Sequence, residues 1–197
     1  DDLSEPSRLI EQTRYLDTHS ECVVLGTWFR QTDPENVVYD ERTPPEDSAW
    51  IVSELASGRN PIAHGSVMLR RGIPPLIAGY DERFRYSQDY DLWLRIAKQL
   101  PEGFAILQSY GYRRRKLPMT SPFKSLCQAR FGEVAREQYR AGHRLDFGDI
   151  PAEIRSQHPR SLDSDPTVSG RYWLQLSQLA RRSQRNDQAR AYGLRAF

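Results

Sequence analysis

Twice along this chain a segment with helical spacing runs into an extended apolar one, and that order most restricts the possible folds. In "PSRLIEQTRYL", residues 6–16, Leu9, Ile10, Thr13 and Leu16 recur at helical spacing. Ser4 or Ser7 is available as a cap, and Pro6 is tolerated in a first turn. "ECVVLGTWFRQTD" follows, and its Val, Trp and Phe ahead of polar turn formers predict a strand from about Cys22 to Arg30. Later, "QDYDLWLRIAKQ" at 88–99 has the spacing of a buried helix, and "FAILQSYGYRRR" at 104–115 reads as a strand. Helix then strand predicts an α/β layer arrangement.

Between these units, "TDPEN", "RTPPED" and "ASGRNP" surround one helix, "SAWIVSELA", with Trp50, Ile51 and Leu55 as its apolar positions, so residues 31–60 read as a long excursion over the surface. "PIAHGSVMLRR" reads as a strand entered through Pro61, with Gly65 marking close backbone approach or a bulge. "IAGYDERFRYSQ" reads as a loop. Beyond Pro118 come two helical patterns, "FKSLCQARFGEVAREQYRAG" and "RYWLQLSQLARRSQRNDQARAYGLRAF", separated by a Pro-, Ser- and Asp-rich stretch at 148–170. The expected division is an α/β unit over 1–117 and a helical extension over 118–197.

The 197 residues allow one substantial core or a domain with an appendage. The longest apolar runs, such as "CVVLG" and "LIAGY", fall far short of the roughly 20 residues that cross a bilayer. A net charge of +2 makes no general argument for nucleic acid. The distribution is uneven: residues 1–117 carry 15 Lys and Arg against 18 Asp and Glu, and 118–197 carry 13 against 8. That basic extension is a candidate contact for a membrane surface or a protein partner. The run "RRRK" at 113–116 lacks the interleaved aromatics of a nucleic-acid patch. Cys22 and Cys127 have neither CxxC spacing nor a nearby histidine pair, which suits a reducing, cytoplasmic setting, with the inner membrane face as an alternative location. The chain starts at Asp1 with no charged-then-apolar leader, and the expectation is that an N-terminal portion precedes it.

Asp89 and Asp91 stand two positions apart at the head of the 88–99 helix. As structure, both suit a helix N-terminus, where a carboxylate gains about 0.3–1 kcal/mol from the dipole, and Asp91 with Arg95 makes an i, i+4 pair on an exposed face. A functional role needs further support from the surrounding sequence.

"DDLSEPSRLIEQ", "PIAHGSVMLRR", "AGYDERFRYSQDYDLWLRIA" and "YGYRRR" supply that support by their order and spacing. Over about residues 1–117 the chain resembles the family 2 glycosyltransferases, inverting enzymes with the GT-A, Rossmann-like fold. The resemblance implies that residues 1–117 are the acceptor-side half of such a domain, with the nucleotide-binding half upstream. Asp1 then corresponds to the last carboxylate of the family's DXD motif, a ligand for Mg²⁺ or Mn²⁺, and Asp2 to the acidic residue after it. "QDYDLWLR" corresponds to the family's ED-x-D-L-W-L-R segment, with Gln88 where Glu is usual and Asp89 at the position of the catalytic base. His64 and Gly79 match positions near donor and acceptor. Arg113 matches the family's Tyr-Arg pair, where a basic side chain meets diphosphate, and Arg115 replaces the histidine that often follows.

These residue types suit the implied chemistry. Hard carboxylate oxygens hold a divalent cation that neutralises charge on a departing diphosphate. A positioned base takes the proton of an acceptor hydroxyl as it attacks. The implied partners are a nucleotide-sugar donor and a glycan, lipid-linked or protein acceptor. Each position also has a plainer explanation: His64 as a structural histidine, Gly79 as a turn glycine, Trp93 as core. The rival from another class is a noncatalytic transferase-like interaction module, suggested by Gln88, Arg115 and the basic helical tail.

Overall fold

The computed structural model describes residues 2–72, 77, 79–115, 122–145, 174, 177, 178, 181 and 186–195. Its strands are β1 (Leu3–Ser4), β2 (Val24–Thr32), β3 (Val38–Arg42), β4 (Met68–Leu69) and β5 (Phe104–Arg115). They form one open mixed sheet in the order β1-β5-β2-β3, with β4 pairing the first residues of β2. β2 and β5 are parallel, and the other pairings are antiparallel. The helices are α1 (Arg8–Thr18), α2 (Ser48–Ser57), α3 (Gln88–Gln99), α4 (Pro122–Ala141) and α5 (Asn186–Arg195), with a short 3₁₀ turn at His64–Ser66. This is the mixed α/β layering expected from the sequence, and the sheet is compatible with a Rossmann-like fold.

The central parallel pair is covered on both faces, which accounts for its nearly continuous apolar character. Val24, Phe104 and Ile106 join Ile51 and Leu55 of α2, Trp93 and Ile96 of α3, and Phe131 and Ala135 of α4 in the larger core. Leu25 and Ala105 alternate to the opposite face and meet Leu16 of α1 and Cys22. α2 is capped at both ends: the Asp47 carboxylate accepts from the Trp50 N–H at 2.6 Å, and Gly58 closes the helix with φ 98°. α4 contributes Cys127 as well, so this helix shares the core of the α/β unit. Both cysteines are free and buried. Among the described residues, no helix is long and apolar enough to cross a membrane.

Four local expectations are corrected. In α1, Leu9 and Ile10 are exposed, while Gln12 and Leu16 are buried. Gln12 is tolerated inside because its amide donates to the carbonyls of Leu25 and Ser66 at 2.8 and 2.9 Å. Neither serine caps α1: Ser7 occupies the cap position without a side-chain bond, and the Ser4 hydroxyl instead accepts from Arg8. Residues 31–60 do not stay on the surface, because the chain turns at Asp33–Asn36 and returns as β3 with Tyr39 buried. Residues 61–71 form the 3₁₀ turn and the two-residue β4 rather than a continuous strand. The 148–170 stretch and part of the last helical pattern lie outside the described residues.

Trp93 is fully buried at the junction of α3, α2 and the sheet. Trp93→Ala is therefore expected to lower the unfolding free energy by about 3–5 kcal/mol in urea denaturation, as large-to-small core changes do. A loss under about 1 kcal/mol would contradict this account of the core.

Candidate active site

α1 and α3 each lead directly into a parallel strand, β2 and β5, so their first turns lie towards the carboxyl ends of those strands. In open α/β sheets that is where ligands bind. α3 begins after Ser87, which holds φ 55° and whose hydroxyl donates to the Gln128 carbonyl of α4 at 2.9 Å. Asp89 and Asp91 both occupy its first turn, but their surroundings differ.

Asp89 is half-buried and accepts from the Asn60 side-chain amide at 3.3 Å. Tyr80 lies close to it: burial and the Asp89 carboxylate together push the Tyr80 phenol above its ordinary range. The Tyr80 hydroxyl is 2.8 Å from His64 Nε2, and the two rings meet edge-on at 5.8 Å. His64 is exposed, and its ring stands 6.3 Å from that of Trp93, which anchors α3 from inside. Direct contacts thus join Asn60 to Asp89 and His64 to Tyr80, and the Asp89 carboxylate acts on Tyr80 through its charge. Gln88, half-buried, precedes Asp89 in the same turn.

Asp91 points inward and is 1% exposed. It pairs with Arg95 at 2.9 Å and accepts from the Gln138 amide of α4 at 3.3 Å. The pair expected on an exposed face is therefore real but buried. Burial pushes the Asp91 carboxyl up, and the Arg95 guanidinium opposes that shift. Arg95 also donates to the Gly79 carbonyl at 2.8 Å. Gly79 holds φ 64° with open space where a Cβ would stand, so its backbone conformation rather than crowding calls for glycine. Two residues on, Asp81 is buried and held by Arg83 at 2.6 Å.

At the end of β5, the two oxygens of Asp2 accept from the Tyr112 hydroxyl at 2.6 Å and the Arg115 N–H at 2.8 Å. Tyr112 lies against Gly65, where an added Cβ would fall 1.9 Å from the phenol oxygen. That is the close approach expected at Gly65, and it sets His64 beside the end of β5. The Arg113 side chain bonds Glu5 at 2.6 Å, and the Arg115 guanidinium reaches Asn36 at 2.5 Å. Asp1 lies outside the described residues. Among the described residues, no group of three or more His, Cys, Asp or Glu is placed to hold a metal ion.

The structure therefore pairs His64 with Tyr80, which follows Gly79 and feels the charge of Asp89, and leaves Arg113 and Arg115 with Asp2 and β1. Asn60 and Tyr80 were not singled out in the sequence. Their signals were modest: a polar residue just before Pro61, and an aromatic residue just after a turn glycine.

Over 118 residues, 59% of this chain, the sequence is 33% identical to the putative glycosyltransferase EpsE of Bacillus subtilis, covering 41% of that protein. The chain is similar to glycosyltransferases. It is also 30% identical over 96 residues to the amylovoran biosynthesis glycosyltransferase AmsE of Erwinia amylovora, and 30% identical over 101 residues to the O-antigen biosynthesis glycosyltransferase WbnJ of Escherichia coli. These two matches cover 49% and 51% of this chain, and 35% and 38% of the relatives. The matched stretch thus spans about two fifths of the length of these curated relatives. No family model matches the chain.

The loop that carries Tyr80 yields a pH prediction. Hydrogen bonds from Arg83 hold the Asp81 carboxyl below the usual carboxylate range, against the effect of burial. A lowered folded-state pKa contributes stability that is present above the unfolded value, about 3.9, and is lost as pH falls through the folded value. Asp81→Asn is expected to lower stability at neutral pH and to flatten the decline that sets in as pH falls below about 4, measured by urea denaturation at neutral and acid pH. An unchanged acid limb would remove Asp81 as a contributor.

Proposed function

We propose that this chain is the acceptor-side half of an inverting family 2 glycosyltransferase of the GT-A fold. In this reading it moves a sugar from a nucleoside-diphosphate donor to an acceptor hydroxyl. The observation that carries the reading is the setting of Asp89: a half-buried carboxylate in the first turn of α3, bonded to Asn60 and within electrostatic reach of Tyr80, the partner of His64, in a chain similar to glycosyltransferases. Asp89 accepts the proton of the acceptor hydroxyl while that oxygen bonds to the anomeric carbon and the carbon's bond to the diphosphate oxygen breaks. A single displacement inverts the anomeric centre. The electron pair leaves with the nucleoside diphosphate, and no covalent sugar–protein intermediate is required.

Asp91 does not share this role, because it is buried against Arg95 and Gln138. Its contribution is to orient α3. His64 and Tyr80 bond each other, with Tyr80 within electrostatic reach of Asp89, and Arg115 stands at the strand end on the side of Asp2. A divalent cation, Mg²⁺ or Mn²⁺, belongs to the proposal through the resemblance of the "DD" head alone, since both oxygens of Asp2 already accept hydrogen bonds. A bound cation would neutralise charge on the departing diphosphate. In this reading the donor's nucleoside is held by residues outside the stretch matched to the relatives, and the reaction takes place on the cytoplasmic side.

Asp89→Asn in the full-length gene product is expected to lower kcat for transfer by about 10²–10⁴-fold with the fold retained, followed by release of nucleoside diphosphate. Equal rates would refute Asp89 as the base. Chelation with EDTA is expected to abolish transfer and added Mn²⁺ to restore it. A rate indifferent to both would remove the metal from the proposal.

A further inference from the structure

A groove of about 700 Å³ runs between α2, β3 and the end of β5. Its lining includes Trp50, Pro44, Ile62, Asn60 and Arg114. Asn60 lines this groove and also donates to Asp89 at 3.3 Å, so a single side chain separates the groove from the proposed base. Trp50 is 36% exposed on a helix whose next residue, Ile51, is fully buried. A half-exposed indole beside Pro44 and Ile62 offers a flat apolar surface of the kind that packs against the C–H face of a sugar ring.

The charges of the groove are not equivalent. Glu54 is paired with Arg59, Glu41 with Arg30, and Arg42 with Asp40. Arg114 is exposed and has no carboxylate partner among the described residues. It stacks over Phe29 at 5.3 Å and uses one nitrogen to bond Gln31 at 3.0 Å, which fixes the guanidinium plane and leaves its other N–H groups available. A fixed guanidinium favours a carboxylate or phosphate, which it can meet with two parallel hydrogen bonds. A cavity of this size suits a ligand larger than a single sugar.

We propose that this groove binds an oligosaccharide carrying an anionic group, with a sugar ring on Trp50, the anion on Arg114 and the chain end directed past Asn60 towards Asp89. The inference rests on the transferase reading only in calling this oligosaccharide the acceptor. The groove itself is tested by binding, which needs no turnover.

The experiment follows the Trp50 indole signal in ¹H–¹⁵N spectra of the full chain, assigned by its absence in Trp50→Phe. Tetragalacturonate is compared with maltotetraose, and glucose 6-phosphate with glucose. The expected result is a shift of the Trp50 signal, with the anionic member of a pair binding at least about tenfold more tightly than its neutral counterpart and that advantage lost in Arg114→Gln. The pair that shows the larger Arg114-dependent advantage identifies carboxylate or phosphate as the anion. If no probe moves the Trp50 signal, or if Arg114→Gln leaves the anionic preference intact, the proposal is overturned. If Trp50 and Arg114 bind the anionic sugars but the full-length gene product transfers no sugar, the transferase reading is overturned and the groove stands.

Discussion

The buried ion pair between Asp91 and Arg95 ties together the parts on which the candidate site depends. Taking a carboxylate and a guanidinium out of water costs several kcal/mol per ion, and such pairs are weak evidence for stability. What this pair supplies is position. Arg95 donates to both Asp91 and the Gly79 carbonyl, so it holds the turn before Tyr80 against α3. The amide nitrogen of Gln138 donates to Asp91, while its oxygen accepts from Arg83 and from the Leu145 N–H. Through these bonds α3, the 79–83 loop and α4 share one register. Asp89 is two residues from Asp91 on the same helix, and Tyr80 is one residue from Gly79, so their separation is set by a network that neither belongs to.

A second constraint acts at the sheet end, where backbone meets side chain with no room for a Cβ. Tyr112 occupies the space beside Gly65, and a Cβ added at Gly111 on β5 would fall 2.8 Å from Thr27 and 2.9 Å from Arg8. These approaches let Arg8 donate to the Gly65 carbonyl at 2.8 Å while lying over the Tyr112 ring at 5.8 Å. The start of α1, the 3₁₀ turn and the end of β5 are joined there, and His64 follows from that junction. The site therefore has two independent supports, a polar network under α3 and a steric one under the turn.

Much of this was legible in the sequence because it is periodic. α3 and β5 have the bounds expected from their patterns, and Trp93 is core. β3 was not legible, because its five residues lie among turn formers and carry only Tyr39 as a buried apolar side chain. The burial of Asp91 was hidden for another reason: an acid and a base four apart on a helix look the same whether water or a second helix covers them. What covers this pair comes from Gln138, 47 residues away. α1 misled in the opposite sense, since Leu9 and Ile10 are exposed and the polar Gln12 is enclosed by two carbonyls. Apolar spacing locates a helix well, but which face it buries depends on what packs against it.

The arginine run at the end of β5 shows how strand geometry divides a uniform stretch of charge. Successive side chains of a strand point to opposite faces. Arg113 accordingly pairs with Glu5 beside β1, whereas Arg114 turns to Gln31, Phe29 and the groove. Arg115 is bound twice, by its backbone N–H to Asp2 and by its guanidinium to Asn36. The first of these contacts is indifferent to side-chain identity, because every residue except proline supplies a backbone N–H. The departure from the resembled pattern at position 115, arginine in place of histidine, thus leaves the bond to Asp2 unchanged and alters only what the side chain reaches. A substitution that looks like the loss of a functional residue in the sequence is, at this strand end, compatible with the same backbone architecture around Asp2.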